Sequence, residues 1–149
     1  MSRTRTPYRP ALEGLEERIE RRNELVGLYR DVLSDVDGIS FLEVGTSDRS
    51  TYKDFTVLVD PEAYGLDADG LGQALSSVGI ETRRYYSPPV HTMQAYRRQF
   101  GANGGLPVTE DAARRTLTLP LWVDMTQAHI ARVADAIVRI RTYVDGRSR

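Results

Sequence analysis

The sequence predicts an α+β fold, a small and mainly antiparallel sheet with helices packed on one face. Three observations carry this. From Ala11 onward apolar residues recur at the three- and four-residue spacing of an amphipathic helix. Tyr52 to Asp60 alternates as a half-buried strand does. The strands along the chain are separated partly by loops and partly by single helices, an order that favours helices segregated from an antiparallel sheet over regular βαβ units.

Taken in order, Ser2 to Arg9 is polar and basic without apolar periodicity, and is expected to be a mobile arm over residues 1–10. The helix that follows carries Leu12, Leu15, Ile19, Val26, Leu28, Tyr29, Val32 and Leu33 on its apolar side. Its Glu16 to Arg22 run is expected as the solvated face, with Glu17 placed to pair with Arg21. Ile39 to Val44 suggests a short strand, and Gly45 to Ser50 turn material. In the next strand Phe55, Val57 and Val59 share one face, and Pro61 closes it. Asp67 or Asp69 can cap a helix carrying Leu71, Ala74, Leu75 and Val78, with Gly79 at its C′ position.

Ile80 to Tyr86 is β-branched and aromatic enough to read as a third strand, ended by Ser87-Pro88-Pro89 because neither proline can donate to a ladder. Thr92 to Phe100 is expected as a short helix and Gly101 to Gly105 as a flexible loop. Thr109 is expected to cap another short helix, Leu117 to Val123 to be extended, and Thr126 to cap a last helix burying Ile130, Val133, Ala134, Ile137 and Val144. The domain is therefore expected over residues 11–145, with a tail at 146–149 and no internal repeat.

Composition narrows the function classes. A chain of 149 residues with 40% hydrophobic and 28% charged content suits one globular domain. A net charge of −1 gives no reason to expect nucleic acid or an anionic membrane as partner. No apolar run approaches the roughly 20 residues of a membrane span, and a cytoplasmic location is expected. With no cysteine, disulfides, thiolate catalysis and cysteine-ligated metals are excluded. The two histidines, His91 and His129, offer too little for a histidine-rich metal site, and none is expected. Lys53 is the one lysine among 20 basic side chains, so any Schiff-base chemistry in this chain has a single possible residue.

The densest chemistry lies between Gly79 and Tyr96, in Gly-Ile-Glu-Thr-Arg-Arg-Tyr-Tyr-Ser-Pro-Pro-Val-His-Thr-Met-Gln-Ala-Tyr. If the segment is a strand, Arg83, Tyr85 and His91 can face a cleft while Arg84 and Tyr86 face away. Packed tyrosines and solvated arginines are the competing explanation. His129, in the first turn of the last helix, reads as a surface residue. Asp35, Asp37, Asp67 and Asp69 read as turn and cap aspartates.

This run, together with Arg21-Arg22-Asn23, the Tyr52 to Val59 strand, Leu106-Pro-Val-Thr-Glu, Leu117-Thr-Leu-Pro-Leu-Trp and the Met125-Thr126 helix start, resembles the C-terminal domain of the DegT/StrS-type, pyridoxal-phosphate-dependent sugar aminotransferases. The likeness extends from about Ala11 to Val144. It implies the small domain of a fold-type I aminotransferase, acting on a nucleotide-sugar in amino-sugar biosynthesis. In that family the Tyr-Pro-Pro-His corner lies at the mouth of the active site, so Arg83, Tyr85, Tyr86 and His91 become the candidate substrate-binding residues. Guanidinium, phenol and imidazole suit a diphosphate and sugar hydroxyls.

The family's cofactor lysine, its pyridine-pairing acid and its ring-stacking aromatic belong to a large N-terminal domain upstream of the region matched here. Lys53 lacks the surroundings of that lysine. Tyr8-Arg9-Pro10 is faintly similar to a family segment that reaches a partner's cofactor phosphate, but Pro7 stands in the asparagine's place and the role is not carried over. The expectation is no catalytic residue and no complete pyridoxal-phosphate site in this chain. Three readings stay open: a domain active only with a separate large-domain chain, a non-catalytic nucleotide-sugar-binding or assembly module, and an aminotransferase using Lys53. A homodimer or a partner complex is expected, through apolar residues near Leu12, Leu15 and Ile19.

Overall fold

The computed structural model describes residues 12–96 and 105–147. Helix α1 spans Leu15–Leu33, strand β1 Ile39–Phe41, strand β2 Phe55–Val59, a one-turn helix α2 Pro61–Tyr64, helix α3 Ala68–Ser77, helix α4 Pro107–Arg115, strand β3 Thr116–Leu119 and helix α5 Gln127–Arg147. The strands form one antiparallel sheet in the order β1-β2-β3, with Ile39 opposite Val59 and Phe55 opposite Leu119. This is the expected α+β class.

Alternation in β2 turns Phe55, Val57 and Val59 to the core, where Leu117 and Leu119 of β3 join them. Three helices supply the other side of that core: Leu25, Val26, Tyr29 and Leu33 from α1, Leu71 and Leu75 from α3, and Ile130, Val133 and Ile137 from α5. The Tyr29 ring stacks on Phe55 at 5.2 Å between centroids. Ala113 of α4 is buried outside this cluster, against the sheet through β2.

The caps follow the local chemistry. Asp67, rather than Asp69, caps α3 by accepting from the Gly70 N–H at 2.7 Å. At the other end Gly79 adopts φ 77°, its N–H bonds Ser76 C=O, and the Ile80 N–H bonds Leu75 C=O at 2.9 Å. This is the paired closure that a left-handed glycine permits, with Ile80 and Leu75 both buried.

Several expectations are corrected. The Glu16 to Arg22 run is not simply solvated: Arg21 pairs with Glu24 at 2.7 Å, not with Glu17, and its other nitrogen donates to Met125 C=O at 2.9 Å. Arg22 and Asn23 donate to Thr51 and Ser50 carbonyls, tying α1 to the loop before β2. Strand β1 ends at Phe41, three residues short of Val44. Pro61 does more than close β2, since Asp60 caps the turn that Pro61 opens.

Ile80 to Tyr86 is not a strand. Only Arg83 pairs with β3, through two bonds to Thr118 of 3.1 and 2.8 Å. Beyond it Arg84 turns inward, donating to Ala113 C=O at 2.7 Å and Arg114 C=O at 3.1 Å and pairing with Asp69. A guanidinium on the last carbonyls of α4 thus holds the segment in place of the expected ladder. Helix α4 begins at Pro107 rather than after Thr109, and α5 runs to Arg147. Ile19 is buried within the chain's own fold, which leaves Leu12 exposed and Leu15 half-buried as the remainder of the expected interface patch. The expected arm, the loop from Gly101 and the end of the Thr92 to Phe100 helix lie outside the described residues, apart from a 3₁₀ turn at Val90–Thr92.

Candidate functional site

The corner after Arg84 and the facing side of α4 enclose a groove of about 510 Å³. Tyr85, Tyr86, Pro89, Val90 and His91 form one wall, and Leu106, Thr109 and Ala112 the other. The corner is braced from within: the Thr92 hydroxyl and N–H both donate to Pro89 C=O, at 2.8 and 2.9 Å. Tyr85 and Tyr86 are 44% and 60% exposed with ring centroids 5.4 Å apart, so two phenols stand at the groove without being used in the core. Both line one cavity, against the alternation expected of a strand.

His91 is the groove's imidazole, and its Nε2 lies 3.1 Å from Oε1 of Glu110. The same oxygen accepts the Leu106 N–H at 3.1 Å, which satisfies a free donor at the start of α4. The hydrogen bond from His91, and then the one from Leu106, hold the Glu110 carboxyl below the usual carboxylate range. Glu110 is a partner of His91 that reading the sequence missed. Its signal lies in Leu106-Pro-Val-Thr-Glu, where a glutamate just inside a proline-started helix can reach back to the capping residue.

Arg83 does not join this set. It pairs with Glu81 at 2.5 Å and lines a second cavity of about 450 Å³, with Asp54, Trp122, His129 and Arg132. His129 is exposed as expected but also closes the start of α5. Its Nδ1 accepts the Thr126 N–H at 3.1 Å while its own N–H approaches the Thr126 hydroxyl at 3.4 Å, a reciprocal cap. Lys53 is exposed in the bend before β2 and lines none of the cavities described above. Neither of these two cavities is lined by a lysine. No group of three His, Asp or Glu side chains among the described residues is arranged to hold a metal ion. No helix among them is long and apolar enough to cross a membrane.

Comparison with known proteins gives a consistent result. The sequence profile of the DegT/DnrJ/EryC1/StrS aminotransferase family matches residues 9–138. The chain is similar to a dTDP-4-dehydro-2,3,6-trideoxy-D-glucose 4-aminotransferase of Saccharopolyspora spinosa, 36% identical over 125 residues that cover 83% of this chain and 30% of the relative. It is also similar to a dTDP-4-amino-4,6-dideoxy-D-glucose transaminase of Escherichia coli, 25% identical over 128 residues covering 85% of this chain and 34% of that protein. Among solved structures, DesI in the presence of its TDP-sugar product superposes with a TM-score of 0.82 at 27% identity, over 93% of this chain and 35% of DesI. The aminotransferase TlmJ from Streptoalloteichus hindustanus gives 0.77 at 28% identity, over 90% of this chain and 34% of its own. The chain thus spans about a third of the length of the curated relatives it matches.

Proposed function

The chain belongs to the DegT/DnrJ/EryC1/StrS aminotransferase family, and from that premise we propose that it forms the sugar-facing small lobe of a nucleotide-sugar aminotransferase. The observation that carries the reading is the groove at the Tyr-Pro-Pro-Val-His corner, where two exposed phenols and a held imidazole surround an apolar floor. Phenol rings pack on the C–H faces of a sugar, and their hydroxyls with the imidazole meet its polar groups. Pre-ordering by Pro89 and the Thr92 bonds lowers the cost of binding.

Transfer of an amino group needs pyridoxal phosphate, and Lys53, the one lysine, lines neither cavity described above. The lobe binds and orients the sugar, and turnover requires a lobe that carries the cofactor lysine. In the purified chain this reading predicts sugar binding without transamination. Isothermal calorimetry with thymidine and uridine diphosphate sugars tests it. Binding of a diphosphate sugar more tightly than of the free diphosphate supports the reading. No heat from any of them above background favours a module that serves assembly only.

A further inference from the structure

What Glu110 does at the groove can be read from its hydrogen bonds. Its carboxyl is held low, hence ionised at neutral pH, and an ionised carboxylate has no proton to give. The proton shared with His91 therefore sits on Nε2, and Nδ1 is left as the acceptor of the neutral ring. Glu110 is itself fixed, because its Oε1 also takes the Leu106 N–H at the start of α4.

We propose that Glu110 is a positioning residue for His91, holding the ring in one orientation and one tautomer so that Nδ1 accepts a hydrogen bond from a ligand hydroxyl. The ligand class follows from the surroundings. A carboxylate 3.1 Å from the ring disfavours an anion at that end of the groove, and no arginine or lysine is among the described residues lining it. Among the described residues no cationic side chain lines the groove to meet a phosphate, whereas a hydroxyl-bearing sugar ring finds an acceptor in His91 and two phenols in the same cavity. The sugar end of an activated sugar is thereby assigned to His91, and the diphosphate to some other surface. This ligand assignment rests on the function proposed above. The tautomer does not.

Nitrogen-15 NMR of the full chain with ring-labelled histidine, at about pH 8 where an ordinary imidazole is neutral, tests the two parts separately. A His129→Gln variant assigns the signals. The expected wild-type spectrum shows a protonated Nε2 for His91 with a visible, exchange-protected Hε2. Glu110→Ala should lose that proton signal to solvent exchange, and Glu110→Gln should keep it, because the amide oxygen still accepts. A wild-type ring protonated on Nδ1, or one without a protected Hε2, overturns the positioning role even if Glu110→Ala does not fold. So does a signal unchanged in Glu110→Ala. Addition of thymidine diphosphate glucose should shift Nδ1, and no shift with the tautomer intact overturns the sugar assignment alone.

Discussion

The hydroxyl of Tyr29 donates to the carbonyl of Pro120 at 3.0 Å, so the middle of α1 grips the turn that leaves β3. The same ring stacks on Phe55 in the core, which makes Tyr29 a joint between helix, sheet and the turn leading to Trp122. Tyr29→Phe keeps the packing and leaves a carbonyl without its donor. The expected cost is about 1–2 kcal/mol, read as a lower midpoint in urea unfolding at unchanged slope.

Alkaline pH should expose the same design. Burial pushes the phenols of Tyr29 and Tyr64 far above the ordinary tyrosine value of 10.0, although Arg141 partly offsets this for Tyr64. A raised folded pKa means that stability is full below the unfolded value near 10 and falls as the pH rises beyond it. Unfolding free energies measured from pH 8 to about 11 should decline, and Tyr29→Phe should flatten the decline. A profile as steep in the variant as in the wild type would assign the loss to other groups.

At acid pH the relevant group is Glu110. Its folded pKa is lowered by the bonds from His91 and Leu106, so its contribution is present above the usual carboxylate range and is lost as the pH falls through the lowered value. Glu110→Gln should flatten the acid limb of stability between about pH 5 and pH 3, its deficit against the wild type being present at neutral pH and vanishing as the pH falls. Denaturant midpoints across that range check it.

Gly38 is a backbone requirement rather than a packing preference. Its φ is 80°, and a Cβ there would stand 2.4 Å from the Tyr64 nitrogen. Gly38→Ala should cost at least about 2 kcal/mol, visible as a fall in melting temperature, since both the left-handed conformation and the close backbone oppose it. Gly27, with open space around its Cβ position in the middle of α1, should instead tolerate alanine with a gain of about 0.5–1 kcal/mol.

Much of the fold was legible because local chemistry and tertiary demand agree. The alternation of Phe55, Val57 and Val59, the left-handed Gly79 and the Thr126 helix start each state one structural outcome, and the cap of α3 was narrowed to Asp67 or Asp69. Ile80 to Tyr86 misled for the opposite reason. Its residues favour a strand, but Arg84 finds the carbonyls of α4, and only Arg83 meets a partner strand. The site was half legible: Tyr85, Tyr86 and His91 converge because Pro88 and Pro89 set the corner, whereas Arg83 leaves for the second cavity. Glu110 lies nineteen positions from His91, and no periodicity in the sequence links the two.

The pivotal question is which cavity an activated sugar occupies. Saturation-transfer NMR with thymidine diphosphate glucose reads this directly, by reporting which ligand protons lie against the protein. Saturation should be strongest on the glucose ring, should fall by about tenfold or more in Tyr86→Ala at fixed ligand concentration, and should persist in Trp122→Ala, whose side chain lines only the second cavity of the two. Saturation concentrated on the thymine ring, abolished by Trp122→Ala and untouched by Tyr86→Ala, would place the ligand beside Arg83 and Arg132 and contradict the sugar-facing role of the His91 groove.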